Sequence, residues 1–402
     1  MGVAANVLED QVIRVCFYVF FPGGGIGRYT HEVASTLNPI PGVEVEVACT
    51  PDYQWRDSAT YECWTGLLRL SHQVPLVRRL RFLSAQFISP ARFIGHAVER
   101  RADIVHFCNV NQLSFPFWKA LLDRSDSFVA ATAHDVKRRR SILNRTWENR
   151  ELKHFYRRAD ALFVHSEFQA RELRDFAGVP EDRIHLVPHG PYPYGKPSAD
   201  RATIRRSLAL PMASEVALFF GHIRDDKNLD GLIRAIAMVD APLHLLVAGQ
   251  VASRNRPISV YQDLVRDLHI EERVTFIPRH IRDEEIPDLF SMADWIALPY
   301  RKEFTSQSGV LNISAHYDRP VLVGPSPVLR ETVEQTDIGI VCSGEDERAL
   351  ARGIEAMSAR IRSGHEHQFG VYRQTFSWHQ NATRTLQIYR NGLANGRKLS
   401  RP

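Results

Sequence analysis

The chain repeats one pattern along most of its length: a short apolar run, a polar turn, and a stretch whose apolar residues recur at helical spacing. In the first half, such runs begin at Val12, Ala102, Ser127, Asp160 and Ile184. This alternation is typical of a parallel sheet covered by helices, because parallel strands are joined by crossover connections that usually contain a helix. The pattern therefore predicts an α/β fold built on buried parallel strands.

A stretch rich in proline and glycine, residues 191–197, interrupts this pattern near the middle of the chain. Strand candidates then resume at Glu215, Leu243, Arg273, Asp294 and Arg319. The 402 residues exceed what one hydrophobic core usually serves, which favours two domains of similar size. We predict doubly wound domains at residues 1–195 and 196–376, with a final helix at about residues 377–393 that packs back on the first domain.

The composition is that of an ordinary globular protein, with 44% apolar and 24% charged residues. The longest apolar runs fall short of the roughly 20 residues that span a bilayer, and the first residues do not resemble a secretory signal. We therefore expect a cytoplasmic protein without a transmembrane helix. The five cysteines are scattered, without a Cys-x-x-Cys pair or a histidine at zinc spacing, so we expect reduced thiols and no metal site.

The excess of positive charge bears on the partners of the chain. A net charge of +5 favours anionic ligands such as nucleotides, phosphates and acidic lipid headgroups. Nucleic acid is compatible with this charge, but the motifs described next point to a nucleotide, and we expect no nucleic-acid partner. Between Trp64 and Phe87 the sequence mixes apolar residues with four arginines. That mixture suits a helix in peripheral contact with an anionic membrane, and it suits a domain helix with a solvated arginine edge equally well.

A cluster of glycines follows the first predicted strand. In PGGGIGRYTHEV, Gly24 and Gly25 lie between that strand and a stretch with helical periodicity. Glycines let backbone N–H groups approach a diphosphate at a helix N-terminus, where the helix dipole also favours negative charge. A nicotinamide-binding domain would need a third glycine at the position of Thr30 and an acidic residue where the next strand ends, at Cys49 and Thr50. The motif therefore suits a diphosphate-bearing ligand, and its departures from the nicotinamide-binding pattern weaken the interpretation as a dehydrogenase.

A second cluster lies in GHIRDDKN, where Gly221 ends the first predicted strand of the second domain. Arg224 and Lys227 follow three residues apart in the turn before a predicted helix. Two cations at a helix N-terminus would neutralise a diphosphate whose negative charge grows as it leaves. An ordinary basic loop would have the same spacing, and the sequence alone supports both interpretations equally.

Two further segments place polar residues beside predicted strands. In TSQSGVLNISAH, Ser308, Gly309 and Val310 begin a predicted helix that precedes a strand, and a hydroxyl-rich helix start supplies donors for phosphate or sugar oxygens. A plain helix cap is the alternative. In ATAHDV, His134 follows a predicted first-domain strand, at the edge where parallel sheets usually bind ligands. A single histidine there is more often structural than catalytic, so both roles remain open.

Taken in order, these segments resemble family 4 of the retaining glycosyltransferases, in glycosyltransferase group 1. Members of this family have the GT-B fold, two Rossmann-like doubly wound domains that face each other across a cleft. The resemblance covers nearly the whole chain, and the ordered set of motifs is far more specific than any one of them. The motifs are GGGIGRY at Gly23, AHD at Ala133, VHSEF at Val164, LVPHG at Leu186, FFGHIRDDKNLDGLI at Phe219, LLVAGQ at Leu245, LPYRKEFTSQSGVL at Leu298 and RPVLVG at Arg319.

The resemblance implies a role for each candidate residue. Arg224 and Lys227 would hold the diphosphate of the donor, and His134 would face the transferred sugar. Trp378 is similar to the start of the C-terminal helix that returns to the first domain in this family. The residues that would bind or approach the nucleotide sugar are Gly24, Gly25, Gly221, Ser308, Gly309 and Val310.

One departure from the family pattern concerns ribose recognition. Many members carry a Glu-x7-Glu pair in the loop before the last motif, and its second glutamate binds the ribose. In this chain Thr305 and Ile313 occupy those two positions, and Glu303 is out of register. The resemblance therefore leaves the identity of the nucleotide open.

The function that the resemblance implies is retaining transfer of a hexose from a nucleotide diphosphate sugar to a glycan or lipid-linked acceptor in polysaccharide biosynthesis. GDP-mannose or a UDP-sugar would be the donor substrate, and no separate cofactor is implied. No Asp-x-Asp metal motif lies in a suitable loop, so cationic side chains would take the place of a metal. The alternative is a degenerate, non-catalytic GT-B binding subunit, which the missing glutamate pair favours. An epimerase or a phosphorylase would need catalytic carboxylates or a pyridoxal lysine, for which no clear motif is present.

Overall fold

The computed structural model describes residues 12–137, 141–252 and 256–394. The chain divides into two compact units, each with its own parallel sheet. The first unit contains the described residues up to Pro188 together with the C-terminal helix from Trp378, and the second extends from His189 to Ser377.

The first unit is built on a seven-stranded parallel sheet. Its strands are Ile13–Tyr18 (β1), Val43–Ala48 (β2), Glu62–Trp64 (β3), Ile104–Phe107 (β4), Phe128–Thr132 (β5), Ala161–Val164 (β6) and Ile184–Leu186 (β7). Their order across the sheet is β3-β2-β1-β4-β5-β6-β7. The chain therefore winds outward from β1 in one direction and then in the other, which confirms the predicted doubly wound arrangement.

The second unit has a six-stranded parallel sheet with the same winding. Its strands are Glu215–Phe220 (β8), Leu243–Ala248 (β9), Val274–Ile277 (β10), Trp295–Leu298 (β11), Val321–Val323 (β12) and Gly339–Val341 (β13). Their order is β10-β9-β8-β11-β12-β13, so β8 holds the central place that β1 holds in the first sheet. The switch point of each sheet lies at its first strand, where such folds bind ligands at the carboxyl edge.

Helices connect the strands and cover both faces of each sheet. Those between β1 and β7 are Gly24–Leu37 (α1), Pro75–Glu99 (α2), Phe115–Asp123 (α3), Arg145–Arg158 (α4) and Glu167–Ala177 (α5). Those of the second unit are Arg201–Ser207 (α6), Leu229–Met238 (α7), Ile258–Asp267 (α8), Ile286–Met292 (α9), Gly309–His316 (α10), Pro327–Thr336 (α11), Glu347–Arg362 (α12) and Phe369–Thr375 (α13). The last helix of the chain is Trp378–Ala394 (α14).

The structure divides the chain at Pro188, earlier than the predicted division at residue 195. The proline-rich segment is held by the end of α10 in the second unit. His316 Nε2 lies 3.1 Å from the Tyr194 carbonyl oxygen, and the Tyr317 hydroxyl donates to the Gly195 carbonyl at 2.7 Å. These hydrogen bonds make residues 189–195 part of the second unit, although their composition resembles a free linker.

The C-terminal helix α14 packs into the first unit, against α1. Asn381 Nδ2 donates to the Pro188 carbonyl at 2.7 Å and to the Tyr29 hydroxyl at 3.3 Å. Tyr389 is fully buried, and its hydroxyl lies 2.6 Å from His106 Nδ1 on β4. The last helix of the chain is therefore part of the core of the first unit.

The secondary structure differs from the prediction in two places. The short edge strands β3 and β13, of three residues each, are not among the predicted strands. The segment from Trp64 to Phe87 is not one helix, because Trp64 ends β3 and α2 begins only at Pro75 and continues to Glu99. Within the described ranges, no helix is long and apolar enough to cross a membrane.

Candidate active site

The loop after β8 is shaped by two glycines at the centre of the second sheet. Gly221 follows β8 directly and has a φ of +94°, in the left-handed region that favours glycine. A Cβ atom placed on Gly249, which follows the neighbouring strand β9, would lie 2.0 Å from the Gly221 carbonyl oxygen. The two strand ends therefore approach each other closely because Gly249 lacks a side chain.

Lys227 turns back toward this glycine loop. A Cβ atom on Gly221 would lie 3.3 Å from Lys227 Nζ and 3.7 Å from Val310 Cγ2, so these three predicted residues converge. The side chain of Lys227 is buried, and its Nζ lies 5.0 Å from the centre of the Tyr300 ring. In the described part of the chain, Lys227 forms no ion pair with a carboxylate. A buried ammonium is costly unless an anion neutralises it, so this position is prepared for a negatively charged ligand.

Arg224 lies in the same loop but is directed differently. Its Nε pairs with Asp226 Oδ1 at 3.2 Å, and 43% of its side chain is exposed. Burial lowers the pKa of nearby His222, and the positive charges of Lys227, Arg224 and His280 lower it further. The loop therefore holds one buried and one surface cation, together with the acidic residues Asp225 and Asp226.

The N-terminus of α10 supplies amide donors beside Lys227. Ser308 is the N-cap residue, and its Oγ accepts a hydrogen bond from the Leu311 amide at 3.4 Å. The amides of Gly309 and Val310 belong to the first turn, whose N–H groups have no acceptor within the helix. Gly309 packs closely on Tyr192, since a Cβ atom there would lie 3.3 Å from Tyr192 Cε2. The start of α10 thus presents backbone donors and a positive dipole end.

The two positions of the missing glutamate pair lie in this region, and one of them is apolar and buried. Ile313, at the second position, is only 5% exposed on α10. The neighbouring Asn312 accepts a hydrogen bond from the Tyr372 hydroxyl at 2.6 Å, and its Nδ2 lies 2.7 Å from His189 Nδ1. This stretch of α10 therefore contributes to the core of the second unit.

In the first unit, the glycines after β1 fall into two kinds. A Cβ atom on Gly27 would lie 2.6 Å from Trp55 Cζ3, and one on Gly23 would lie 2.9 Å from Gln54 Oε1. Gly24 and Gly25 would meet no atom within 4 Å, and Gly24 has a φ of +78°. Gly27 is therefore needed for packing against the Trp55 ring, whereas a Cβ atom on Gly24 or Gly25 would enter open space at the start of α1.

His134 lies at the carboxyl edge of the first sheet, two residues after β5. Its Nδ1 is 3.3 Å from Nε2 of His165, which directly follows the neighbouring strand β6. The ring of Tyr29 packs edge-on against it, with ring centres 4.6 Å apart. Gln169 Nε2 donates to the His134 carbonyl at 2.9 Å, so backbone and ring are both fixed.

The structure thus brings Gly221, Lys227 and Val310 together in the second unit, and it directs Arg224 toward Asp226. Gly24, Gly25 and His134 lie at the carboxyl edge of the first sheet. Tyr300 and His165 were not singled out from the sequence, although both lie within motifs that carry the family resemblance. The signal for His165 is its place directly after a strand that neighbours the His134 strand.

Two doubly wound units of this kind define the GT-B class, and comparison with solved structures shows the same fold. A glycosyltransferase from Rickettsia africae superimposes with a TM-score of 0.73 at 14% identity, over 96% of this chain and all of the other. Sucrose-phosphate synthase from Thermosynechococcus elongatus gives 0.71 at 19% identity, over 96% and 100% of the two chains. The HepE protein of Anabaena, in complex with UDP and glucose, gives 0.70 at 14% identity, over 94% and 99%.

Within that class, two family models match consecutive parts of the chain. The model of Glycosyltransferase Family 4 matches residues 23–191, and the model of Glycosyl transferases group 1 matches residues 200–361. The chain belongs to glycosyltransferase family 4.

Several curated relatives share one function name. D-inositol 3-phosphate glycosyltransferase from Corynebacterium glutamicum is 26% identical over 251 residues, which are 59% of this chain and 58% of the relative. The protein of the same name from Mycobacteroides abscessus is 27% identical over 245 residues, 61% of this chain and 54% of the relative. The chain therefore matches less than two thirds of the length of these relatives.

Proposed function

We propose that the protein transfers a hexose from a nucleotide diphosphate sugar to a glycan or lipid-linked acceptor, with retention of configuration. The observation that carries the proposal is the buried ammonium of Lys227, set between the Gly221 loop and the start of α10. In the described residues no carboxylate neutralises this charge at ion-pair distance. A diphosphate would neutralise it, and the amides of Gly309 and Val310 would donate to the same anion.

The proposed chemistry uses these groups to stabilise the leaving group. The bond between the anomeric carbon and the diphosphate oxygen breaks, and the acceptor hydroxyl oxygen bonds to the anomeric carbon on the same face. The acceptor proton passes to the departing phosphate oxygen. Lys227 and Arg224 balance the charge that grows on the diphosphate, which is the role a metal would otherwise have. On the first unit, His134 would contact the transferred sugar, and Gly24 and Gly25 would leave room for the substrates.

The donor is proposed to be a UDP-sugar or GDP-mannose. The Anabaena structure with UDP and glucose supports a UDP-sugar, and it shares the fold with this chain. The curated relatives are named for transfer to inositol 3-phosphate, which supports a phosphorylated polyol as one acceptor to test. Because Ile313 is buried and apolar, ribose recognition would come from residues other than the usual glutamate.

We further propose that the first unit docks on an anionic lipid surface through α2. Leu76 and Leu80 on its first turns are 66% and 56% exposed, and Phe87 lies on the same side of the helix. The buried residue Ala85 is on the opposite side, so this apolar stripe on the first turns faces away from it. An outward apolar stripe favours a partner that buries it.

Arginines lie near this stripe. At about 100° per residue, Arg79 lies beside Leu76, whereas Arg81 lies farther around the helix, where its Nη1 donates to the Ser71 carbonyl at 3.1 Å. The exposed Phe117 of α3 extends the apolar surface, since its ring centre is 5.3 Å from that of Phe87. Apolar residues beside cations suit the boundary of acyl chains and anionic headgroups.

The membrane proposal is tested by co-sedimentation with vesicles of phosphatidylglycerol or phosphatidylcholine at low salt. The Leu76→Glu/Leu80→Glu double variant should lose most binding to phosphatidylglycerol. The control is Met212→Glu in the second unit, where the Met212 side chain is 51% exposed, and this variant should retain binding to phosphatidylglycerol. Equal binding by both variants would refute docking through α2.

The transferase proposal is tested by nucleotide release from GDP-, UDP-, ADP- and dTDP-sugars, with and without EDTA. One donor should be hydrolysed or transferred, and Lys227→Ala should abolish that release. Unchanged release by Lys227→Ala would refute the assigned role. Absence of both release and nucleotide binding across the panel would instead favour the degenerate binding subunit.

A further inference from the structure

A pair of histidines bridges two neighbouring strand ends in the first unit. His134 follows β5, and His165 follows β6, which pairs with β5 in the sheet. His165 Nε2 is 3.3 Å from His134 Nδ1, and His165 Nδ1 is 2.9 Å from the carbonyl oxygen of Val187. The three groups form one hydrogen-bonded row that begins at a backbone carbonyl.

The direction of each hydrogen bond in this row follows from the carbonyl. A carbonyl oxygen can only accept, so His165 must carry its proton on Nδ1 and donate to Val187. In neutral His165 the Nε2 atom is then an acceptor. His134 Nδ1 faces that acceptor and must carry a proton to donate to it. Neutral His134 therefore has its lone pair on Nε2.

The assignment depends on His165 being neutral, and its surroundings favour this state. The side chain is fully enclosed, and burial lowers the pKa of His165 to about 4. The amide of His165 donates to Gln169 Oε1 at 2.9 Å, which fixes the backbone on which the ring is mounted. The ring of Tyr29 also packs on His165, with ring centres 5.2 Å apart. His165 therefore has one ring orientation and one tautomer near neutral pH.

We propose that His165 is a positioning residue that fixes His134 in the Nδ1–H tautomer, so that His134 Nε2 accepts a hydrogen bond from a hydroxyl of the transferred sugar. The proposal rests on the proposed function, in which His134 contacts that sugar. An Nε2 acceptor favours a group with a proton to donate, such as a hexose hydroxyl. In the opposite tautomer Nε2 would be a donor, and a hydroxyl could still bind but without this directional preference.

Two substitutions of His165 distinguish the role of its Nε2 acceptor from the role of the rest of the side chain. His165→Asn places an amide nitrogen near the position of Nδ1, where it can still donate to Val187, but it provides nothing at Nε2. His165→Gln provides an amide oxygen near Nε2, which can accept from His134. The two variants are both polar and similar in size, but only His165→Gln retains an acceptor for His134.

The direct test is nitrogen NMR of the protein with 15N-labelled histidine, which distinguishes a protonated from an unprotonated ring nitrogen without any donor sugar. The His134 signals are assigned by their loss in His134→Gln. Wild type and His165→Gln should show a protonated Nδ1, and His165→Asn should shift His134 toward protonated Nε2. A protonated Nε2 in wild type, or no change in His165→Asn, would overturn the proposal. Circular dichroism confirms that each variant is folded.

Activity provides a second readout that is independent of the first. With the donor identified by the nucleotide panel, kcat/KM should fall about tenfold in His165→Asn and less than threefold in His165→Gln, in line with the loss of one hydrogen bond. An equal fall in both variants would show a merely structural role. If the panel shows no transferase activity, the proposed function fails while the NMR result still decides the tautomer.

Discussion

The carboxyl edges of the two sheets have the same backbone plan and opposite chemistry. In both units the central first strand runs into a loop with a glycine at positive φ, Gly24 at +78° and Gly221 at +94°. In the first unit the nearby His165 ring is buried, and burial lowers its pKa to about 4. In the second unit the loop holds the buried side chain of Lys227 and the half-exposed Arg224. One fold plan thus holds a pair of imidazoles in one unit and a pair of cationic side chains in the other.

This difference gives each unit its own binding preference. A neutral acceptor such as an imidazole lone pair matches hydroxyl groups, whereas cations and helix amides match phosphate. The backbone plan is set by the doubly wound topology, and the chemistry is set by a few loop side chains. The comparison can therefore be tested by changing those side chains one at a time.

The largest effect is expected at Lys227. Lys227→Met keeps the length and apolar stem of the side chain but removes the charge, so turnover should fall by about 10²- to 10³-fold. The free energy of unfolding of the ligand-free protein should stay equal or rise, because an unneutralised buried charge is removed. Nucleotide release and urea denaturation measure the two quantities. Arg234→Met on the exposed side of α7 is the control, and a marked loss of stability in Lys227→Met would contradict the anion-site interpretation.

The next largest effect is the loss of stability as the pH falls. His165 has a folded-state pKa of about 4 and an ordinary pKa of 6.5, so on acidification the unfolded chain binds a proton at a higher pH than the folded unit does. The contribution of neutral His165 to the free energy of unfolding is fully present above pH 6.5. It decreases by about 3 kcal/mol as the pH falls toward 4. Burial also lowers the pKa of His106 to about 3, which adds to the loss in the same unit.

Urea denaturation and hydrogen exchange between pH 7 and pH 4.5 measure this effect. The strands of the first sheet should lose protection before those of the second sheet. His165→Gln should reduce the pH dependence, and His269→Gln, at an exposed position of the second unit, should not. Earlier loss of protection in the second sheet would contradict the comparison.

A smaller effect is expected from glycine-to-alanine substitutions, and it should differ between the loops of the two units. Gly221→Ala places a methyl group 3.3 Å from Lys227 Nζ at a positive φ, and should lower both stability, by about 1–2 kcal/mol, and turnover. Gly24→Ala should cost similar backbone strain without touching another group. Gly25→Ala has neither a positive φ nor a close neighbour and should change stability by less than about 0.5 kcal/mol. A neutral Gly221→Ala would show that the second loop is less constrained than its geometry indicates.

The smallest effect is expected at Tyr300. Its hydroxyl is buried and has no hydrogen-bond partner in the described part of the chain, so Tyr300→Phe should leave stability and turnover nearly unchanged. Tyr300→Leu removes the ring beneath Lys227 and should weaken nucleotide binding by about 1 kcal/mol. Calorimetric titration of both variants with the nucleotide diphosphate measures the difference. Equal binding by the two variants would show that the ring does not orient Lys227.

The fold class, the central strands and the family could all be predicted from the amino-acid sequence. Apolar runs such as those that became β1 and β8 are local signals, because most residues of each strand are buried and the run is apparent without knowledge of its neighbours. Motif order then placed Gly221, Lys227 and Val310 on neighbouring loops. These features depend on residues close together in the chain, and a local pattern suffices to find them.

Which of these residues are in contact became known from the folded structure alone. The contact between His134 and His165 exists because β5 and β6 are neighbours in the sheet, and the sequence separation of the two histidines gives no hint of it. The burial of Lys227 against Tyr300, the attachment of residues 189–195 to α10, and the short strands β3 and β13 likewise depend on sheet edges and packing. Strand order and side-chain burial are set by the whole chain at once, so a pattern read along the chain cannot supply them.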